Sequence, residues 1–159
     1  MRQLLFPAKR IRAEVIKQYA EENGYRGVVC FSCGNASRAL KETGADTLDV
    51  SPTGDLEARR WFTLAEIHRE FPDRLDATSG HIGPDLLNRI AEAFKAYIGE
   101  LPEEDLAIPT GSGETLVELK IAFPRAKLHA VYNTDSATEY NAAAPLNGLV
   151  EALAESISR

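Results

Sequence analysis

Apolar residues at the start of the chain recur at helical spacing and then give way to a short unbroken run. From Lys9 to Asn23 the positions Ile11, Val15, Ile16 and Tyr19 fall on one helical face, and Gly24 supplies a stop. Gly27 to Phe31 then reads as a strand apolar on both faces, the composition of a strand buried in a parallel sheet. Gly34-Asn35-Ala36-Ser37 opens a second helix to about Thr43, with Gly44 as its cap, and Thr47 to Val50 reads as a second strand. Ser51 to Asp55 is a turn cluster. Thr63, three residues before Glu66, forms a capping-box pattern at the head of a helix from Leu64 to Phe71.

Pro72 to Gly83 reads as a loop, followed by a long helix with Pro84 in its first turn and a stripe of Leu86, Leu87, Ile90, Phe94 and Ile98. Leu106 to Ile108 is then a strand, Glu114 to Phe123 a helix, Lys127 to Tyr132 a strand, and Leu146 to Ile157 a closing helix. Repeated strand-helix-strand order predicts an α/β fold with three layers, a mostly parallel sheet carrying helices on both faces. No repeat, low-complexity tract or long linker divides the chain, so residues 1–159 read as a single α/β domain. In such sheets ligands bind at the carboxyl ends of the strands.

Composition narrows the partners. With 44% hydrophobic and 26% charged residues, the 159-residue chain has the make-up of an ordinary globular domain. Its net charge of -6, with acidic residues spread along the chain, argues against a nucleic-acid surface. No apolar run approaches the ~20 residues of a membrane span, and the first residues lack the apolar centre of a signal peptide, so a cytoplasmic location is expected. A small-molecule substrate or phosphate-containing ligand is the expected partner.

Three stretches carry candidate chemistry. Ile108 to Leu116, IPTGSGETL, lies between a strand and a helix, where glycine-turn amides and the positive end of the helix suit a phosphate. It fails as an ATP P-loop, because Ile108 replaces the first glycine and Glu114 replaces the lysine. The alternatives are a phosphate site without ATP chemistry and a plain turn in which Gly111 and Gly113 only supply permissive backbone angles. In Val28 to Leu40, Cys30 and Cys33 form a Cys-x-x-Cys pair. It reads either as a thiol redox pair at a helix N-terminus or as two buried core cysteines. Ser32, Gly34 and Asn35 in the same loop could hold a carboxylate. The third stretch, Asp76 to Leu86, places His81 between two glycines, as a general base or as a surface or capping residue; Asp76, Thr78 and Ser79 are candidates to cap the next helix. His68, His81 and His129 lack metal-ligand spacing, so no metal is expected.

Two of these stretches, in their order, resemble the fold-type II pyridoxal-phosphate enzymes, the tryptophan synthase beta-like group that includes threonine synthase, cysteine synthase and serine dehydratase. In that family a lysine in a segment like S-F-K-x-R-G is followed by a helix, a strand and an S-S-G-N loop, and here Phe6-Pro7-Ala8-Lys9-Arg10 leads through a helix and strand to Ser32-Cys33-Gly34-Asn35. A later G-[SG]-G-G-T loop is similar to Gly111-Ser112-Gly113-Glu114-Thr115, with Glu114 where a glycine is usual. The resemblance implies pyridoxal phosphate as cofactor, held by Lys9 as a Schiff base and by Asn35 at its ring hydroxyl. Gly111, Ser112, Gly113 and Thr115 would bind its phosphate. Ser32, Cys33 and Ala36, with His81 as a further candidate, would line the substrate pocket. It further implies elimination or replacement on an amino acid, with a homo-oligomer or partner chain completing the pocket. The other readings are a non-catalytic phosphate- or anion-binding domain of the same fold and a redox protein using Cys30 and Cys33.

Overall fold

The computed structural model describes residues 2–32, 35–56, 60–110 and 113–132. Among them strands and helices alternate: β1 (Arg2–Gln3), α1 (Ala8–Glu22), β2 (Gly27–Cys30), α2 (Asn35–Glu42), β3 (Thr47–Asp49), α3 (Leu64–Glu70), β4 (Arg74–Asp76), α4 (Pro84–Ile98), β5 (Asp105–Thr110), α5 (Glu114–Ala122) and β6 (Lys127–Tyr132). Every strand pairing is parallel, in two three-stranded sheets with orders β3-β2-β4 and β1-β5-β6. The fold is therefore α/β. Two short strands depart from the sequence reading: β1 was not anticipated, and β4 lies inside the expected loop from Pro72 to Gly83. The expected helix from Leu146 to Ile157 lies outside the described residues.

β2 shows why its sequence is apolar throughout. Val28 and Cys30 face a core that contains Ile16 of α1, Leu40 of α2 and Ile90 of α4, whereas Val29, between them, packs with Val50 and Ile67 of α3. Alternate side chains of a strand point to opposite faces, so this sheet carries helices on both. Gly27 at its start has no room for a side chain: a Cβ there would lie 2.3 Å from the Asp46 carbonyl oxygen. The larger core also takes Leu106 and Ile108 from β5 and Leu128 from β6, so both sheets bury against it.

Local chemistry fixes the helix ends. Thr63 accepts a hydrogen bond from the Glu66 amide while the Glu66 carboxylate accepts one from the Thr63 amide, the capping box that the sequence shows. At α4 the N-cap is Gly83, which has no side chain to offer, with Pro84 just inside. Asp76, Thr78 and Ser79 therefore do not cap α4, contrary to expectation. Asp76 instead accepts from the Thr78 amide within its own loop (2.9 Å).

Candidate functional site

The loops after β2, β4 and β5 are tied to one another. The Phe31 amide at the end of β2 donates to Thr78 Oγ1 beyond β4 (3.0 Å), and two residues later the Gly80 amide donates to Glu114 Oε2 at the start of α5 (2.6 Å). These bonds gather the carboxyl ends of β2, β4 and β5 on one side of the molecule, where parallel sheets hold ligands. α1, which follows β1, joins the group through Arg12. Its guanidinium donates to Thr115 Oγ1 (2.7 Å) and, from Nε, to both oxygens of Glu118 (3.0 Å each), with Nη2 also on Glu118. Lys9 stands one turn earlier on α1, half-buried.

The expected site residues fall on this edge as follows. Lys9 is in the first turn of α1, Asn35 and Ala36 open α2 in half-buried positions, and Gly113 and Thr115 open α5. Gly113 is the N-cap of α5 with φ 86, a left-handed conformation that favours glycine, and its amide donates to Thr110 Oγ1 (3.1 Å). The Ser32 amide donates to Asp49 Oδ1 (3.3 Å), and its carbonyl accepts from Ser51 Oγ (2.9 Å). Asp49 Oδ1 also accepts from the Ser51 amide, so a buried carboxylate holds this loop in shape. Cys33, Gly34, Gly111 and Ser112 lie outside the described residues.

Glu114 now has a place. Its carboxylate, buried at the head of α5, is the acceptor that holds the loop after β4, and the nearby Glu118 is neutralised by Arg12. A glycine in its position could not make that tie.

Cys30 is a core residue, 1% exposed on β2. Burial, reinforced by the Asp49 carboxylate, pushes its thiol far above the ordinary range, which suppresses the thiolate that redox exchange requires.

His81 looks elsewhere. Its Nδ1 lies 2.8 Å from Asp76 Oδ2, and the same oxygen is 3.1 Å from His68 Nε2. The three residues border a cavity of about 590 Å³ between α3, β4 and the head of α4, whose lining includes none of Lys9, Ser32, Asn35 or Thr115. The sequence offered no signal for this meeting, because His68 lies eight residues from Asp76 with a helix end and a turn between them. Among the described residues no group of His, Cys, Asp or Glu is placed to hold a metal ion, and no helix is long and apolar enough to cross a membrane.

In comparisons with protein-family models, curated proteins and solved structures, nothing matches this chain.

Proposed function

We propose that this domain holds pyridoxal phosphate at the shared carboxyl edge and acts on an amino-acid substrate by elimination or replacement. The observation that supports the reading is the Arg12 bridge from α1 to Thr115, one helical turn after Lys9. The residues fit the group in kind. A half-buried lysine, a left-handed glycine before a helix N-terminus and a second helix opening on an asparagine all follow parallel strands.

When bound, the cofactor supplies an electron sink for chemistry at the α carbon of an amino acid. Lys9 is the residue that would hold it covalently and whose Nζ would carry the α proton. Gly111, Ser112, Gly113 and Thr115 would hold the phosphate, and Asn35 the ring hydroxyl. Ser32, Cys33 and Ala36, before and within the first turn of α2, would orient the substrate carboxylate toward the positive end of that helix. The loop bonds from Asp49, Ser51 and Thr78 hold Phe31 and Ser32 at the end of β2.

Incubation with pyridoxal phosphate should give a visible absorption band that Lys9→Ala abolishes while leaving the protein folded. A wild-type protein with no band, or a band unchanged in Lys9→Ala, refutes the proposal.

The buried charge of Glu114 favours a second reading, a non-catalytic anion-binding domain, for which phosphate would bind without any such band. Either way, Glu114→Gln keeps an acceptor for the Gly80 amide and removes the repelling charge. It should tighten binding of inorganic phosphate by at least about fivefold, the scale of one charge about 4 Å away even when screened as in bulk water. Titration calorimetry checks this, and equal affinity would mean that the carboxylate does not face the ligand.

A further inference from the structure

The cavity beside β4 combines features that the carboxyl-edge site does not use. A carboxylate only accepts hydrogen bonds, so both ring nitrogens that meet Asp76 Oδ2 are N–H donors. In its neutral form His81 therefore carries its proton on Nδ1, which leaves the lone pair on Nε2. The Thr78 amide on Asp76 Oδ1 holds the carboxylate in turn, and the His81 side chain is 22% exposed, sheltered but reachable. This is an arrangement that a general base can use: a ring held by a half-buried carboxylate on the wall of a cavity.

The lining defines what the cavity admits. Ile67, Phe71, Leu75, Ile82 and Leu86 make an apolar wall, and about 590 Å³ suits a small organic molecule. Arg74 also borders it, but its guanidinium is committed to the Asp46 carboxylate (2.9 Å) and to the Val28 and Asp46 carbonyls. Asp85 is bonded by the Tyr19 phenol, whose proton is held more firmly because of burial first and this carboxylate second. Two carboxylates and no uncommitted guanidinium disfavour an anionic substrate, and because Asp76 already accepts from the Thr78 amide, His68 and His81, and Asp85 from Tyr19, a cation is offered no open partner either; an uncharged molecule fits best. The first turn of the 15-residue α4, which carries Asp85, also borders the cavity.

We propose that this cavity is a second site, which hydrolyses small uncharged carboxylic esters with His81 as general base. His81 Nε2 takes a proton from a water molecule as the water oxygen bonds to the acyl carbon. The bond from that carbon to the leaving oxygen then breaks, and the leaving oxygen takes the proton back from Nε2, giving one carboxylic acid and one alcohol. No cofactor and no redox partner enter the balance. Asp76 is a positioning residue: it keeps the proton on Nδ1 and stabilises the ring when Nε2 is protonated.

The test is hydrolysis of p-nitrophenyl acetate by the full chain. The wild type should show saturable turnover, reduced about 100-fold or more in His81→Asn, the scale of general-base catalysis. His129→Asn should match the wild type, because His129 pairs with Asp105 on the exposed surface and tests the background reactivity of an ordinary histidine. Pro72→Trp, at an exposed position on the cavity rim, keeps the His81 pair and should lower kcat/KM by blocking access, so the question stays decidable if His81→Asn fails to fold. Turnover that does not saturate, a folded His81→Asn protein with more than half the wild-type rate, or a Pro72→Trp protein with unchanged kcat/KM would overturn the assignment.

Discussion

Arg12→Met is expected to destabilise the domain by about 3–5 kcal/mol, the cost of leaving a buried carboxylate without its partner. Glu118 is wholly buried, and Arg12, itself 7% exposed, meets it through both Nε and Nη2 while reaching Thr115 with the same guanidinium. The methionine stem can fill much of the space, so the loss comes from the stranded charge rather than from a cavity. The double variant Arg12→Met/Glu118→Leu should recover most of the stability, because replacing a buried ion pair with apolar side chains is often neutral. Urea denaturation of the two proteins checks both statements; a single variant within about 1 kcal/mol of wild type would show that the pair is not buried in solution.

Phe94→Ala should cost about 3–5 kcal/mol for a different reason. Phe94 has no exposed surface, and its ring meets Phe6 edge-on, with centroids 4.9 Å apart and planes at 85°. Phe6 lies on the segment that joins β1 to α1, so this pair anchors the approach to Lys9 on the face of α4. Removing the ring leaves a void that Ile90 and Leu106 in the same core can close only in part. The same denaturation series measures it, and a loss below about 1.5 kcal/mol would mean that the core collapses around the gap.

The elements legible in the sequence were those whose signals are local. The stripe of α4 is buried as its spacing requires, with Leu86, Ile90, Phe94 and Ile98 all inside, and Thr63 and Glu66 form their capping box. β2 is apolar because it faces packed helices on both sides. α1 is the instructive partial failure. Its large apolar residues Ile11, Val15 and Tyr19 are only partly buried, while Ala8, Ala13 and Ala20, together with Arg12, face inward. Periodicity weighs side-chain hydrophobicity, and it cannot anticipate a buried arginine whose partner lies 106 residues away.

The two overlooked strands failed for a related reason. β1 has two residues and β4 three, the latter Arg74-Leu75-Asp76, too short and too polar to show a period. The candidate sites divide in the same way. The positions of Lys9, Asn35, Gly113 and Thr115 at strand ends follow from element order, which sequence reveals. The latch from Glu114 to Gly80 and the meeting of His68, Asp76 and His81 depend on tertiary contacts between segments with no spacing rule. Glu114, out of place as a P-loop lysine, is intelligible only once the loop after β4 is seen against it.

The central claim, that Lys9 carries a phosphate-bearing cofactor at the shared carboxyl edge, is tested most directly by trapping the bond. The protein is incubated with one equivalent of pyridoxal phosphate, reduced with borohydride, digested and mapped by mass spectrometry. One pyridoxyl group is expected on the peptide that contains Lys9, lost when excess inorganic phosphate is present during incubation. Label spread over exposed lysines such as Lys41, Lys95 and Lys120, with Lys9 unmodified, would contradict it.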